Sequence, residues 1–525
     1  MKINKIIAIA AASVLVVGIS SCDKWLDVRS SDEIIEKEAF SETEGFRTAL
    51  VGVYRQVASA GLWGRELSWG LAANLAFNYP SGYSDPAYRS ALNATEGEDP
   101  YANATMRSHI DAVWETAYTA IANLNELLAQ IEKVDAGKFE VDFEKDVIMG
   151  EARGLRGLLH FTLLEGFVPA PVTGYSGPAI PYVTEYPALA PKTETLEKCL
   201  ELVVKDLEFA VEHLYHYDVE EGRNKAVFAA GGRDMQNMDY YLYQRAGNWR
   251  NDGKVRDNGA DSFGFFSNRG FRFHWWAANA ILARVYSYMR DFDNAEKYAD
   301  VILDDWVGTN NFFLYNSTPR YTANPNLVDS KRRPEQLFAL YNSKLAANYA
   351  AVAGTSASSY NRVQNPTILF DDVNDYRLTD LLFNRSGTAA AQRYSMMWEN
   401  VNAGFTTNST IESCSRPLIP VMELPEIYFI KAECLAQKGL IDDAVAQLKI
   451  VRDARQCVVA KSAADLDSFM NLLVDEMFRD TFTRGTTYFF LKKLNWPTVY
   501  QGTAVRRQLI SGWYVWPVPE SETDY

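Results

Sequence analysis

The sequence predicts an all-α protein: four tetratricopeptide-like helical pairs carrying long loop-rich insertions. Three observations carry that expectation. Apolar residues recur at helical spacing in four regions, each long enough for two helices. Two of those regions place small residues where paired helices must approach closely. Between the pairs lie residues 60–105, 217–272 and 305–421, rich in Gly, Asn, Asp, Ser and aromatics. A plain solenoid keeps a fixed period of about 34 residues. This chain breaks that period with inserted segments, and loops on a rigid frame are where binding usually sits.

The first pair is expected at Glu42–Ser59 with Met106–Val134. In the second of these helices Ile110, Val113, Trp114, Ala117, Ile121, Leu124, Leu128 and Ile131 keep one stripe. The second pair is Phe143–Phe167 with Thr195–Leu214, and six prolines from Pro169 to Pro191 hold its connector extended. The third is Phe273–Met289 with Asn294–Leu303, joined by the turn Arg290–Asp293. Leu282, Ala283, Tyr286 and Ala295 stand there at repeat positions 7, 8, 11 and 20. In the fourth, Tyr428, Ala432, Leu435, Gly439, Ala444 and Leu448 fall at 4, 8, 11, 15, 20 and 24. Gly439 is expected just beyond the first helix, in a left-handed conformation.

Ahead of the pairs, Lys2 and Lys5 precede Ile6–Ile19, an apolar or small run of 14 residues. That is too short to span a bilayer and fits a signal-peptide core. It ends Ile19-Ser20-Ser21-Cys22, which resembles a bacterial lipobox. Residues 1–21 are then a lipoprotein signal peptide, and Cys22 becomes a lipidated N-terminus, anchored stably by two or more acyl chains. No later stretch reaches 18 apolar residues.

Composition narrows the function classes. The 525 residues are 47% hydrophobic, 23% charged and 13% aromatic, which excludes a wholly disordered chain. A net charge of −15 without a basic stripe argues against nucleic acid as a partner. Five scattered cysteines do not make a disulfide scaffold.

Several stretches carry a resemblance. They are Cys22-Asp23-Lys24-Trp25-Leu26-Asp27, Gly52-Val53-Tyr54, Trp114-Glu115-Thr116-Ala117-Tyr118 with Ile121–Asn125, and Glu151–Arg156 with His160-Phe161. Phe167–Pro171, Leu424–Glu433 with Val451-Arg452, and Trp516-Pro517-Val518-Pro519-Glu520 complete the set. In this order and spacing they resemble the SusD/RagB family of Bacteroidetes outer-membrane lipoproteins over nearly the whole chain. The layout expected from it is a signal peptide at 1–21, a SusD-like N-terminal region at 22–215, and a C-terminal region at 216–525 forming one globular unit with it. The resemblance implies a non-enzymatic protein without cofactors. Such a protein binds oligosaccharides, or in some members peptides, and sits as a lid on a SusC-like TonB-dependent transporter. A structural subunit of that complex with little ligand affinity is a further alternative. One departure stands out: near the C-terminus the family's Glu-Gly-x-Arg signature is degraded, reading Thr483-Arg484-Gly485-Thr486 after Asp475–Asp480.

Ligand contacts are expected first in residues 60–105, where aromatics alternate with amides, Asp and Arg. Sugar rings present apolar faces and polar edges, so aromatic platforms beside such groups suit them. Trp69, Asn78, Tyr79, Tyr83 and Tyr88 are the candidates there, and Trp306 in the run 306–313 is another. The polar segment 248–258 lacks the EF-hand pattern for calcium. His213 and His216 lack a third metal ligand of matching spacing. His160 and His274 are expected to make structural hydrogen bonds, and Cys199 and Cys434 to act as small core residues. A Cys414–Cys457 pairing is conceivable. The carboxylates Glu96, Glu98 and Asp99, or Asp371, Asp372 and Asp375, read as solvated surface clusters, since closeness along the chain does not make a glycosidase pair. No G-x-S-x-G elbow, P-loop or H-E-x-x-H occurs.

Overall fold

A computed structural model describes residues 39–139, 143–189, 191–221, 270–304, 314, 330–332, 335–354, 359–379, 381–383, 392–398, 417–503 and 505–522. Cys22, Trp306, the segment 248–258 and Cys414 lie outside them. The helices of all four expected pairs form near their expected bounds. They are α1 Thr43–Val57, α2 Ala104–Ile131, α3 Glu144–Phe167, α4 Leu196–Tyr215, α5 Trp275–Met289, α6 Phe292–Ile302, α7 Leu424–Gln437 and α8 Ile441–Ala454. Then come α9 Leu466–Asp480 and α10 Thr486–Lys493. From α2 to α8 each helix packs on the next in chain order, and α9 lies against α7 and α8. The expected first pair is looser than the rest. Asn123 of α2 donates to Gln56 Oε1 of α1 at 2.9 Å, while the long contact of α2 is with α3. Short antiparallel strand pairs brace the insertions, the longest being Gln336–Tyr341 with Leu418–Glu423.

Each helix has a local cause. The Asn103 side chain caps α2 by accepting from the N–H groups of Thr105 and Met106. All eight residues of the α2 stripe are buried. Sandwiched by α2 and α4, α3 is buried over most of its circumference, and its glycines permit that. A Cβ on Gly150 would stand 2.8 Å from Leu214 of α4. The two repeat-like pairs end their first helices alike. Arg290 (φ 65°) and Gly439 (φ 81°) are left-handed. Asp291 N–H donates to Tyr286 O, and Leu440 N–H to Leu435 O, closing the Schellman bond that satisfies orphan carbonyls. Tyr286 then stacks on Tyr298 across the turn, at 5.5 Å and 7°.

His160 and His274 take the expected structural roles. His274 Nδ1 caps α5 by accepting from Ala277 N–H. His160 donates through Nδ1 to Arg156 O and accepts at Nε2 from Val183 N–H, both at 3.0 Å, so its neutral tautomer is fixed. Cys199 and Cys434 are buried and unpaired.

The C-terminal half is held by buried ions. Asp480 accepts from Arg455 Nε at 2.7 Å and from Arg332 Nη1 and Arg377 Nη1 at 3.0 Å. Glu476, one turn earlier on α9, accepts from Arg377 at 2.6 Å, Arg452 at 2.7 Å and Arg479 at 3.1 Å. Burial alone would raise both carboxyls. The surrounding guanidinium groups reverse that, holding Asp480 well below the usual carboxylate range and Glu476 at about 2. The cluster Asp371–Asp375 belongs to this assembly and is not the solvated surface group its composition suggests. Asp375 pairs with Arg377 at 2.6 Å, Asp372 accepts from the N–H groups of Val458 and Val459, and Asp371 binds Lys461 and Arg479.

Two outcomes follow. Asp480→Asn keeps the shape but leaves three buried guanidinium groups short of a counter-charge. It is expected to cost about 3–5 kcal/mol in urea unfolding, and a loss below about 1 kcal/mol would show that the network carries little. His160 is pushed down to about 3, first by burial and then by Arg156. Its contribution is therefore complete above its ordinary value of 6.5 and is lost as pH falls toward 3. The stability advantage of the wild type over His160→Gln should shrink across that window, read from Tm against pH.

Candidate functional site

Residues 60–105 fold as turns and short helices packed on the frame. Asp85 caps the turn Pro86–Tyr88 by accepting from Ala87 N–H at 3.0 Å, and binds Arg65 at 2.9 Å. Four of the five candidates in this segment are buried walls of the frame. Trp69 is edge-on to Tyr349 at 5.0 Å and donates through Nε1 to Gly64 O. Asn78 accepts through Oδ1 from Thr483 N–H at 2.9 Å. Tyr79 is fully buried. Tyr88 donates its hydroxyl to Glu66 Oε2 at 2.7 Å, and burial followed by the Glu66 charge raises its pKa far above the usual phenol range. As placed, none of these four presents a ring face or amide at the surface. Their aromatic and amide character served packing, which composition alone does not separate from ligand stacking.

Tyr83 differs. It is half-buried, on the short helix Ser81–Tyr83, and joins a platform drawn from three segments. The Arg362 guanidinium lies 4.3 Å from the Tyr83 ring centroid. Arg362 N–H donates to Tyr83 O at 3.3 Å, and its Nη1 to Gln392 Oε1 at 2.7 Å. Beside it, Tyr360 is 36% exposed with the Arg89 guanidinium 5.0 Å from its ring. Arg89 is fixed by donating to Ser84 O at 3.0 Å. On the exposed side Ser81 Oγ donates to Asn93 Oδ1.

The support behind the platform is stiff. Tyr500 OH donates to the carbonyls of Gln364 and Asn365, and Asn365 Nδ2 donates to Gly502 O at 2.8 Å. Asn361, between the two contributing residues, is fully buried at φ 57°, and neither end of its amide has a hydrogen-bond partner among the described residues. Sequence reading missed Tyr360, Arg362 and Gln392. The run Tyr360-Asn361-Arg362 carries the same aromatic–amide–cation signature that drew attention to residues 60–105, but inside the longer insertion 305–421.

Among the described residues no group of three or more His, Cys, Asp or Glu could hold a metal ion. His213 stacks on Phe209 at 3.6 Å, and His216 lies tilted against Phe143 and pairs with Glu220. Glu98 accepts from Thr95, and Glu96 from Ser511. No described helix is long and apolar enough to cross a membrane.

A family model, SusD-like and described as "starch-binding associating with outer membrane", matches residues 24–227. No curated protein matches the sequence. Solved structures match along most of the chain. A SusD superfamily protein from Bacteroides thetaiotaomicron is 19% identical, with 92% of this chain and 98% of that one covered and a TM-score of 0.61. A SusD-like carbohydrate binding protein from Bacteroides vulgatus is 18% identical, with 92% and 96% covered and a TM-score of 0.59. A SusD-like protein from Bacteroides fragilis is 13% identical, with 94% and 97% covered and a TM-score of 0.61. Residues 24–227 thus resemble the SusD-like family model, and the chain as a whole has the fold of the SusD superfamily structures across 92% of its length.

Proposed function

We propose that this chain is a lipid-anchored outer-membrane protein that captures oligosaccharides and delivers them to a SusC-like TonB-dependent transporter. The observation that carries the reading is the platform of Tyr83, Arg362, Tyr360 and Arg89 on a SusD-like frame. The description of the matching family and the name of the Bacteroides vulgatus neighbour support the ligand class.

Capture needs no covalent step. The part-exposed rings of Tyr360 and Tyr83 would accept the C–H faces of sugar rings, while Arg89, Arg362, Gln392 and Asn93 offer donors and acceptors to ring hydroxyls. The platform is held in place before ligand arrives, so little ordering entropy is lost on binding. The acidic clusters singled out by the sequence are engaged: Asp371, Asp372 and Asp375 in the C-terminal network, Glu98 in a local turn with Thr95 and Glu96 with Ser511. Removal of residues 1–21 and lipidation of Cys22 would tether this platform at the membrane, where raised effective concentration lets weak binding suffice. Regions 22–215 and 216–525 both contribute, through Tyr83 and Arg89 from the first and Tyr360 and Arg362 from the second. Trp306 stays with the proposal as a further contact.

Calorimetry against soluble oligosaccharides, maltoheptaose among them, tests the reading. Tyr83→Ala and Tyr360→Ala should each weaken binding roughly tenfold while helical content and Tm hold. Tyr88→Ala should instead lower Tm, because it empties a core site and strands Glu66. Binding that survives both platform substitutions unchanged would overturn this site.

A further inference from the structure

A recess of about 550 Å³ opens between α2, α3, α4 and the segment 182–187, and it shares no residue with the Tyr83–Tyr360 platform. That volume falls within the roughly 300–1,000 Å³ of small-molecule sites. Its floor is built from ions that fix one another. Asp206 accepts from Arg156 Nε and Nη2, both at 2.7 Å, from Arg153 Nε at 2.9 Å and from Tyr182 OH at 2.8 Å. Arg156 Nη1 donates to Asn125 Oδ1 at 2.7 Å. Burial alone would raise the Asp206 carboxyl, and the two arginines bring it below its ordinary value.

The wall formed by 182–187 is pinned from the inside. Asn125 Nδ2 donates to Val183 O at 3.0 Å, Val183 N–H donates to His160, and the Tyr182 ring stacks on His160 at 3.8 Å and 16°. The recess is thus shaped in advance, which cuts the cost of filling it.

Its lining combines two characters. Leu128, Ala129, Leu202 and Pro187 give apolar surface, and Tyr186, 43% exposed, stands at the mouth. Three cations (Arg153, Arg156 and Lys205) face three anions (Glu132, Glu185 and Asp206). The balance leaves no net field to attract an anion or a cation. An aromatic and aliphatic wall beside donors and acceptors of both kinds instead suits a neutral, hydroxyl-rich molecule. We infer that this recess is a second binding site, taking a neutral oligosaccharide end or short branch. The inference rests on the proposed ligand class but not on the platform.

The test applies the detergent-solubilised full chain to an array of neutral and of sulfated or uronic oligosaccharides. Tyr83→Ala, Tyr186→Ala and Ala129→Trp are compared with the wild type, the last filling the recess from α2 without touching its ion pairs. The expected result is a neutral oligosaccharide that Tyr83→Ala still retains, and that Tyr186→Ala and Ala129→Trp each weaken about tenfold with circular dichroism unchanged. Three results would overturn the recess as a site: retention by Tyr83→Ala that neither recess variant alters, retention of acidic glycans only, or loss of all glycans in Tyr83→Ala. Loss of every glycan in the recess variants alone, with Tyr83→Ala matching the wild type, supports the recess and removes the platform. An array on which even the wild type retains nothing overturns both.

Discussion

The buried meeting of Asp480 and Glu476 with five arginines is the constraint on which the C-terminal half depends. The arginines come from four places: Arg332 beside the strand Gln336–Tyr341, Arg377 in the insertion, Arg452 on α8 with Arg455 at its C-cap, and Arg479 on α9. Desolvating so many charges is costly, and an apolar core of the same shape would match or exceed its stability. What ions supply is direction. Each guanidinium accepts only a narrow range of carboxylate positions, so the helices and the insertion reach one arrangement.

Both halves of the tyrosine platform inherit their position from that assembly. The chain runs from Arg362 through Asn365 to Phe370 and directly into Asp371 and Asp372, which the network and the N–H groups after α8 hold. On the other side, Asp480 ends α9 and the chain turns at once through Thr483, whose N–H fixes Asn78. Asn78 belongs to the segment that presents Tyr83. A residue that sequence reading took for a ligand contact is therefore a tie that helps hold the Tyr83 segment in place.

How far the sequence speaks depends on whether a residue's neighbours are periodic. The α2 stripe, the small residues of the third and fourth pairs and the left-handed end at Gly439 were legible because helical spacing states which face is buried. Loops have no such period. Trp69, Tyr79 and Tyr88 carry the same composition as Tyr83, and only contacts with residues far along the chain separate wall from surface. Asp372 and Asp375 misled for the converse reason. Three acids within five residues look solvated until Arg452 and Arg479, and the N–H groups of Val458 and Val459, all over 80 positions away, fold against Asp371 and Asp372.

The degraded glycine–arginine signature illustrates what sequence divergence leaves intact. Gly485 is left-handed at φ 82°, and any Cβ there would run into the Leu67 and Ser68 carbonyls. Arg484 beside it is buried and paired with Glu423 at the end of the strand Leu418–Glu423. The spacing of the signature has changed, yet the turn still needs one residue without a side chain and one cation reaching back to the strand. These two demands come from docking the α9–α10 turn onto residues 62–78, the base of the first insertion. That turn is therefore constrained by backbone clearance and one ion pair, and neither Arg484 nor Gly485 lines the charge-balanced recess beside Tyr186.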